Sequence, residues 1–227
     1  MRLASLFSGG KDSTYATYLA SRNFEVKYLV TMKPARDDSW MFHTVNIHLA
    51  AMVAEALGIP SIIVDTSGDK EVELDDLKKA LSNIEVEGVV SGAIASNYQK
   101  SRIDEICIEL GFEHVAPLWG RSSLELLREM VLRGIVMIVT AVAAHGINQS
   151  WLGRVLNPQS LEDLNELKTR YGIDVCGEGG EMETLVLDAP WFKSRLDIIK
   201  AKILWDGFRG TYLIEKARLI PKDETYK

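Results

Sequence analysis

The sequence lacks the features of several classes of protein. It contains no run of about 18 apolar residues, so no segment is expected to cross a membrane as a helix. Its 227 residues include two cysteines, Cys107 and Cys176, which stand 69 positions apart without a CxxC pair. A disulfide scaffold or a zinc ribbon is therefore not expected. Because no signal peptide precedes the first apolar segment either, the sequence predicts a protein of the reducing cytoplasm.

An excess of positive charge is also missing. The formal net charge is −6, and all of it lies in residues 1–120, which carry 11 basic and 17 acidic side chains. Residues 121–227 carry 15 of each. This balance does not favour a nucleic-acid partner. With 47% hydrophobic and 26% charged residues, the composition is that of an ordinary globular protein.

The hydrophobic patterns differ between the two parts of the chain. In residues 1–120, short apolar runs such as Glu25–Met32 alternate five times with helical patterns such as Val45–Leu57. This alternation predicts an α/β domain with a doubly wound, five-stranded parallel sheet. In residues 121–227, helical patterns come early and strand patterns come late. We therefore expect a second, smaller α+β domain there, which would bind the substrate.

A glycine loop joins the first predicted strand to the first predicted helix. It reads Ser8-Gly9-Gly10-Lys11-Asp12-Ser13. Glycines let backbone N–H groups face an anion, and the start of a helix adds partial positive charge. The serine hydroxyls and Lys11 add donors, and Asp12 fits beside a phosphate when Mg²⁺ lies between them. The loop is predicted to bind phosphate, and a plain capped strand–turn–helix connection is the alternative.

Two further segments fit a nucleotide pocket, because each ends a predicted parallel strand. Thr31 and Met32 end the second strand, and Ser91-Gly92-Ala93-Ile94 end the fourth. Gly92 would allow a ribose or a phosphate to approach the backbone closely. A simple turn is the alternative interpretation for both segments.

Three carboxylates and three glycines are packed into residues 176–184. This acidic loop reads Cys176-Gly177-Glu178-Gly179-Gly180-Glu181-Met182-Glu183-Thr184. Such side chains do not build a core, but they bind Mg²⁺, attract ammonium or act as a general base toward an amine. An exposed acidic turn is the alternative. The apolar run Leu185–Leu187 that follows indicates that the loop is anchored to a core.

The glycine loop resembles the SGGxDS loop of the N-type ATP pyrophosphatases. That group includes GMP synthetase, argininosuccinate synthetase, NAD synthetase and tRNA-thiolating enzymes. The resemblance implies the adenine nucleotide alpha hydrolase (HUP-like) fold, with ATP cleaved between its α and β phosphates and AMP transferred to an oxygen of the substrate. Lys11 and Asp12 are the candidate catalytic residues of this loop, and Asp12 is the candidate Mg²⁺ ligand. Backbone atoms at Thr31 and Met32 would hold the adenine.

Four segments together resemble one family within that group. They are the glycine loop, the run Gly92–Arg102, Pro117-Leu118-Trp119, and residues 177–192, which read GEGGEMETLVLDAPWF. They are similar to the diphthine–ammonia ligases in their short archaeal form, because eukaryotic members carry further C-terminal domains. The resemblance implies the last step of diphthamide synthesis. ATP would adenylate the carboxylate of diphthine on elongation factor two, and ammonia would then displace AMP to form the amide.

The resemblance and the residue types together indicate the remaining site residues. The acidic loop supplies the candidate catalytic acids Glu178, Glu181 and Glu183. The candidate substrate contacts are His43, His48, Tyr98, Gln99, Arg102 and Thr184. For His43 and His48, capping or packing is the alternative. His145 is a further candidate for lining the cleft.

Two other functions stay open at this point. A tRNA-modifying adenylase of the same superfamily would use the same glycine loop, but the basic groove and the catalytic or zinc cysteines that it needs are not visible. An ATP-binding sensor without catalysis would leave the acidic loop unexplained. Since no glutaminase segment is evident, free ammonium is the expected nitrogen source. Assembly into a homo-oligomer is left open.

Overall fold

The structure is a computed structural model, and it describes residues 1–35, 45–67 and 69–222. The chain divides into two compact units. The first comprises residues 1–54 and 59–120, and the second comprises residues 55–58 and 121–227. No helix in the described ranges combines the length and the apolar character that a membrane span needs.

In the described part of the first unit, five strands form one sheet. They are β1 (Arg2–Leu6), β2 (Glu25–Pro34), β3 (Ser61–Thr66), β4 (Gly88–Val90) and β5 (Glu113–Val115). Their order is β3-β2-β1-β4-β5, and every neighbouring pair is parallel. The predicted five-stranded, doubly wound sheet is confirmed. Because the strand order reverses between β1 and β4, the carboxyl ends of these two strands open the crevice in which such sheets bind ligands.

Helices connect the strands of this sheet. Within the described residues they are α1 (Lys11–Ser21), α2 (Ala50–Leu57), α3 (Lys70–Ser82) and α4 (Asn97–Leu110). The start of α2 differs from the prediction at Val45, because Asn46 has a φ of 58° and a 3-10 turn, Ile47–Leu49, follows it. A left-handed residue does not continue an α-helix, so the α-helix begins only at Ala50.

The core of the first unit lies on both faces of the sheet. On one face, side chains of α3 and α4 pack on those of the central strands; the cluster includes Ala4, Val30, Val89, Leu77, Leu81, Ile103 and Ile106. Helix α1 lies on the other face, because Ser5 points opposite to Ala4 and its Oγ lies 2.8 Å from Thr17 Oγ1. Cys107 belongs to the first cluster, and burial raises the pKa of its thiol to about 11. It is therefore a core residue rather than a reactive thiol.

The second unit combines an antiparallel sheet with helices. Its described elements are α5 (Ser123–Leu132), β6 (Val136–Val142), α6 (Pro158–Tyr171), β7 (Met182–Asp188), β8 (Ser194–Trp205) and β9 (Gly210–Pro221). The sheet order is β7-β6-β9-β8, with antiparallel pairing throughout. The α+β class predicted for this part is confirmed. The acidic loop runs directly into β7, whose pairing with the central strand β6 fixes the end of the loop.

Candidate functional site

The glycine loop is closed by the hydroxyl group of Ser13. Ser13 Oγ lies 3.2 Å from Ser8 Oγ, accepts a hydrogen bond from the Ser8 backbone N–H at 3.3 Å, and donates to Gly10 O at 3.2 Å. The Gly10 N–H in turn donates to Ser8 Oγ at 3.3 Å. Gly9 has a φ of 78°, a conformation that favours glycine. The two serines thus hold the loop as a tight turn before α1.

The first turn of α1 has no side-chain cap among the described residues, and Gly10 occupies the N-cap position. The first N–H groups of a helix have no partner inside it and carry partial positive charge. This is the arrangement that a phosphate group needs.

Lys11 and Asp12 form an ion pair at the start of α1, between a buried lysine and a part-buried aspartate. Lys11 Nζ lies 2.7 Å from Asp12 Oδ2, and the lysine side chain is only 2% exposed. The other carboxylate oxygen, Asp12 Oδ1, is buried and has no hydrogen-bond partner among the described residues. A buried carboxylate oxygen without a partner is costly.

The surroundings of Asp12 fit a magnesium ion. Proteins commonly hold Mg²⁺ by one or two carboxylates together with phosphate oxygens of the substrate. Asp12 Oδ1 supplies one such oxygen at the loop predicted to bind phosphate. Within the ranges that the structure describes, no group of three or more His, Cys, Asp or Glu side chains is placed to hold a metal without such help.

The segment after β4 lies directly against the glycine loop. A Cβ atom added to Gly92 would lie 2.8 Å from Ser13 N and 2.9 Å from the carbonyl carbon of Asp12. The ends of β1 and β4, which the sequence predicts to share a nucleotide pocket, are therefore in contact. The side chains of Ala93 and Ile94 are buried, and Ile94 O accepts a hydrogen bond from Gly120 N at 2.8 Å. Gly92 of this segment thus meets the loop.

Thr31 and Met32 lie within β2, which continues to Pro34 instead of ending at Met32. The Thr31 hydroxyl donates to Phe7 O at 2.7 Å and so ties β2 to the start of the glycine loop. The Met32 side chain is buried in the core. The backbone N–H and C=O groups of Met32 point toward β1. The carbonyl of Val30 accepts a hydrogen bond from Phe7 N on that side, and the backbone groups of a strand point the same way at every second residue. Since β1 ends at Leu6, the backbone groups of Met32 lie beyond the end of this neighbouring strand, at the place where adenine is predicted to bind.

Two of the three candidate histidines lie within the residues that the structure describes. His43 lies outside the described residues. His48 is exposed in the 3-10 turn before α2. His145, in the second unit, packs edge-on against Tyr171, with 4.9 Å between the ring centres.

The start of α4 carries the other substrate candidates of the first unit. Ser96 caps the helix by accepting a hydrogen bond from the Gln99 backbone N–H at 3.3 Å. Arg102 donates to Glu105 Oε2 at 3.0 Å and lies 5.7 Å from the centre of the Tyr98 ring. These candidates are part-buried. In this structure Arg102 is therefore engaged by its own helix.

Asp174, which is missing from the residues predicted from the sequence, organises the acidic loop. Its Oδ1 accepts from the backbone N–H groups of Cys176 at 2.8 Å and of Glu178 at 3.4 Å. Its Oδ2 accepts from Ser123 Oγ at 2.7 Å. An aspartate that accepts from the backbone two residues on forms an Asx turn. An Asp just before a glycine-rich segment is the local signal that could have identified it.

The carboxylate of Glu181 also holds the acidic loop. Its Oε1 accepts from Asp174 N at 3.0 Å, and its Oε2 accepts from Gly179 N at 2.8 Å. Glu178 is part-buried and is bound into the loop through its backbone N–H. The predicted acids thus differ in their surroundings, because both oxygens of Glu181 bind the loop itself.

Glu183 and Thr184 lie on β7 rather than in the loop. They pair with Ala141 and Val139 of β6 in the antiparallel ladder. Successive residues of a strand point to opposite faces of the sheet. Glu183 and Thr184 are therefore expected to face different surroundings.

Replacing Gly177 by alanine is expected to destabilise the acidic loop by about 2–4 kcal/mol. The energetic penalty of a left-handed backbone conformation adds to the penalty of a steric clash with the new Cβ atom. Gly177 has a φ of 82°, and a Cβ there would lie 2.2 Å from Met182 O. Gly180→Ala is the matched control, because Gly180 has a φ of 83° with nothing within 4 Å of the added atom. It is expected to cost about 1 kcal/mol. Denaturant unfolding measures both, and equal losses would contradict the contact.

Two family models match the chain. The diphthamide synthase N-terminal domain matches residues 1–114, and the diphthamide synthase C-terminal domain matches residues 122–220. The chain is similar to the diphthine–ammonia ligase of Homo sapiens, at 35% identity over 90% of this chain and 85% of that protein. It is similar to the diphthine–ammonia ligase of Schizosaccharomyces pombe at 32% identity, over 99% of this chain and 40% of that protein.

The match covers less than half of the fission yeast protein but most of the human one, so the fission yeast protein extends much further beyond the matched part. The expectation that eukaryotic members carry further domains therefore does not extend to all of them. Among solved structures, a predicted subunit of tRNA methyltransferase from Methanocaldococcus jannaschii aligns with 83% of this chain and 97% of that one. The identity is 17% and the TM-score is 0.46.

Proposed function

The chain belongs to the diphthamide synthase family, and from this premise we propose that it is an ATP-dependent diphthine–ammonia ligase. Its substrates would be ATP, ammonia and the carboxylate of diphthine on elongation factor two, and its products diphthamide, AMP and pyrophosphate. The matches of diphthamide synthase family models to both parts of the chain support diphthine as the substrate. The observation that carries the ATP chemistry is the buried carboxylate oxygen of Asp12, which has no partner among the described residues and lies at the start of α1, where no side chain caps the helix. A substrate on an elongation factor would place the reaction in the cytoplasm, where translation occurs.

Activation of the carboxylate is the first step of the proposed reaction. A diphthine carboxylate oxygen attacks the α-phosphorus of ATP, and the bond from this phosphorus to the departing pyrophosphate breaks. A carboxylate is a poor acceptor for ammonia, and AMP supplies the leaving group that it lacks. The N–H groups at the start of α1 and the hydroxyls of Ser8 and Ser13 are placed to stabilise the charge on the phosphate oxygens.

Asp12 and Lys11 divide two tasks in this step. Asp12 would hold Mg²⁺, which neutralises phosphate oxygens as a Lewis acid when bound. Lys11 orients the Asp12 carboxylate, because its ammonium group lies 2.7 Å from Oδ2. The backbone N–H and C=O of Met32 would hold the adenine, while Thr31 positions the loop through Phe7.

Amide formation is the second step. The ammonia nitrogen attacks the carbonyl carbon of the acyl-adenylate, the carbon–oxygen bond to AMP breaks, and a proton leaves the nitrogen. A carboxylate of the acidic loop would accept this proton as a general base, a role worth about 10²–10⁴ in rate. Glu178 and Glu181 are the candidates for this role, and both oxygens of Glu181 accept hydrogen bonds that fix its position in the loop. On β7, Glu183 remains a candidate catalytic acid and Thr184 a candidate substrate contact.

AMP formation is expected only when ATP, ammonium and elongation factor carrying diphthine are all present. The check is chromatography of radiolabelled ATP, together with mass spectrometry of the modified histidine peptide, which should carry the amide. With hydroxylamine in place of ammonium, the acyl-adenylate should be trapped as the hydroxamate. The elongation factor without diphthine is the matched control and should give neither product.

Two outcomes of this assay would replace the ligase. ATP binding without any AMP in the complete mixture would contradict it in favour of a nucleotide sensor. AMP formation that needs tRNA instead of the elongation factor would favour a tRNA-modifying adenylase.

A further inference from the structure

Four polar side chains form a hydrogen-bonded chain beside the ends of β4 and β5. Ser91 Oγ lies 2.7 Å from His114 Nε2, and His114 Nδ1 lies 2.6 Å from Asp104 Oδ1. Asp104 Oδ2 accepts from Lys100 Nζ at 2.6 Å. His114, Asp104 and Lys100 have no role in the chemistry proposed above.

This chain of side chains runs from the interior of the first unit to its surface. Ser91 is 2% exposed, and the side chains of His114 and Asp104 are 6% and 35% exposed. At the outer end, the Lys100 ammonium lies 5.5 Å from the centre of the Trp119 ring. The buried end is therefore at Ser91, on the residue that precedes Gly92.

The partners of His114 determine which ring nitrogen carries the proton. Burial raises the pKa of Asp104, but the hydrogen bonds from Lys100 and His114, with their charges, outweigh this and hold the pKa below its ordinary value. Asp104 is thus ionised at neutral pH and only accepts hydrogen bonds. Nδ1 of His114 must then carry a proton, and in the neutral ring Nε2 accepts the hydroxyl proton of Ser91.

The order serine, imidazole, carboxylate is also that of a hydrolase relay, in which the serine attacks a substrate. A nucleophile has to reach its substrate, whereas Ser91 is almost wholly buried. The contacts therefore hold Ser91 in place rather than activate it. Its backbone N–H is fixed as well, by a hydrogen bond to Val115 O at 3.0 Å.

The position of Ser91 matters because of the residue that follows it. Strands β4 and β5 have three residues each, and β5 is an edge strand. Strands this short share few ladder hydrogen bonds, so side-chain contacts are needed to define where β4 ends. The next residue, Gly92, contacts the backbone of Asp12 and Ser13.

We propose that His114 is a positioning residue of the ATP site, which acts by holding Ser91 so that Gly92 keeps its contact with the glycine loop. Asp104 orients the imidazole, and Lys100 orients Asp104. The inference rests on the proposed function for the ATP site and for the turnover measurement. Two other measurements need neither diphthine nor ammonium.

The first measurement is amide hydrogen exchange of the protein without ligands. His114→Phe keeps a ring but removes both hydrogen bonds, so exchange at residues 9–13 and 91–93 is expected to become about tenfold faster. Asp104→Asn, a milder change at a half-exposed position, should act in the same direction. Glu109→Gln is the matched control, because Glu109 lies on α4 as Asp104 does and the change removes only an exposed ion pair with Lys78 of α3, so these amides should stay unchanged. Unchanged exchange in both His114→Phe and Asp104→Asn would overturn the proposal.

The second measurement is the dissociation constant of ATP. His114→Phe is expected to raise it about tenfold, since a displaced loop meets the phosphates poorly. His114→Gln, which keeps a hydrogen-bonding group for Ser91, should recover part of the affinity. In turnover, the KM for ATP should rise while kcat stays nearly constant. A fall in thermal stability with an unchanged dissociation constant would show a structural role only and would overturn the proposal.

Two further results separate the alternatives. Labelling of Ser91 by a fluorophosphonate reagent would identify a nucleophile and overturn the positioning role, and no labelling is expected. In the nitrogen-15 spectrum of the wild-type protein, Nδ1 of His114 should carry a proton, and its signal is assigned by its loss in His114→Phe. If substitution of His114 weakens ATP binding but the wild-type protein forms no amide, only the proposed ligase function fails. If amide forms normally in His114→Phe, only this inference fails.

Discussion

Asp12→Asn is expected to lower AMP formation by about 100-fold or more, a loss typical of removing a preorganised electrostatic group from a transition state. The two side chains have nearly the same shape, so the change removes charge rather than volume. Asp12 Oδ1 is the buried oxygen without a partner among the described residues, and its negative charge is what a magnesium ion would require. ATP binding by the wild type should strengthen when Mg²⁺ is added, and binding by the variant should not.

The second effect of Asp12→Asn is on Lys11. Its ammonium group is 2% exposed and loses its charged partner, so some loss of stability is expected. Thermal unfolding measures this loss, which allows the rate to be compared at a temperature where the variant is folded. Asp163→Asn is a suitable control, because Asp163 is a part-buried carboxylate paired with Arg154 in the other unit. Turnover of Asp12→Asn within a few-fold of the wild type would contradict the assignment.

Gly92→Ala is expected to raise the dissociation constant of ATP by about 10–100-fold, because small displacements at a site that binds and orients a substrate carry penalties of that size. Gly92 is not among the glycines with positive φ, so alanine is compatible with its backbone. The penalty arises from contact alone, since the new Cβ would lie 2.8 Å from Ser13 N. Both contacting atoms belong to the backbone, so the loop or the end of β4 has to shift.

Gly172→Ala separates a loss of stability from a loss of binding. Gly172 has a φ of 73° and open space around the added atom, so the substitution costs about 1 kcal/mol through backbone conformation. Its ATP affinity should match the wild type, whereas that of Gly92→Ala should not. Isothermal titration with ATP and Mg²⁺ gives both values. Equal ATP affinities in the two variants would show that Gly92 does not determine the conformation of the glycine loop.

Much of the fold of this chain was predictable because the patterns that specify it are local. The alternation of apolar strands with amphipathic helices predicts the parallel sheet, and a glycine loop between a strand and a helix predicts an anion site whatever the rest of the chain does. The ends of elements were less predictable. Asn46 delays α2 through its left-handed backbone, and β2 continues past Met32 because it pairs with β3 as far as Pro34.

Roles that depend on the folded shape of a loop, or on distant partners, were not predictable. Glu181 looks like its two acidic neighbours in sequence, and only the folded loop shows that both of its oxygens bind backbone N–H groups. Asp174 meets Ser123 across 51 positions, and Ser91 meets His114 across 23. No period in the sequence relates such pairs.

The sequence by itself determined the class of both units, the glycine loop with Asp12, and the family to which the motifs belong. These depend on residue types and short-range spacing, which survive without knowledge of the packing. Only the tertiary structure decided which oxygens are already used, where Gly92 touches the loop, and that His114 stands behind Ser91. Those properties arise when a loop folds onto its own backbone or when segments distant in sequence become neighbours, so they are set by tertiary packing rather than by residue types and spacing.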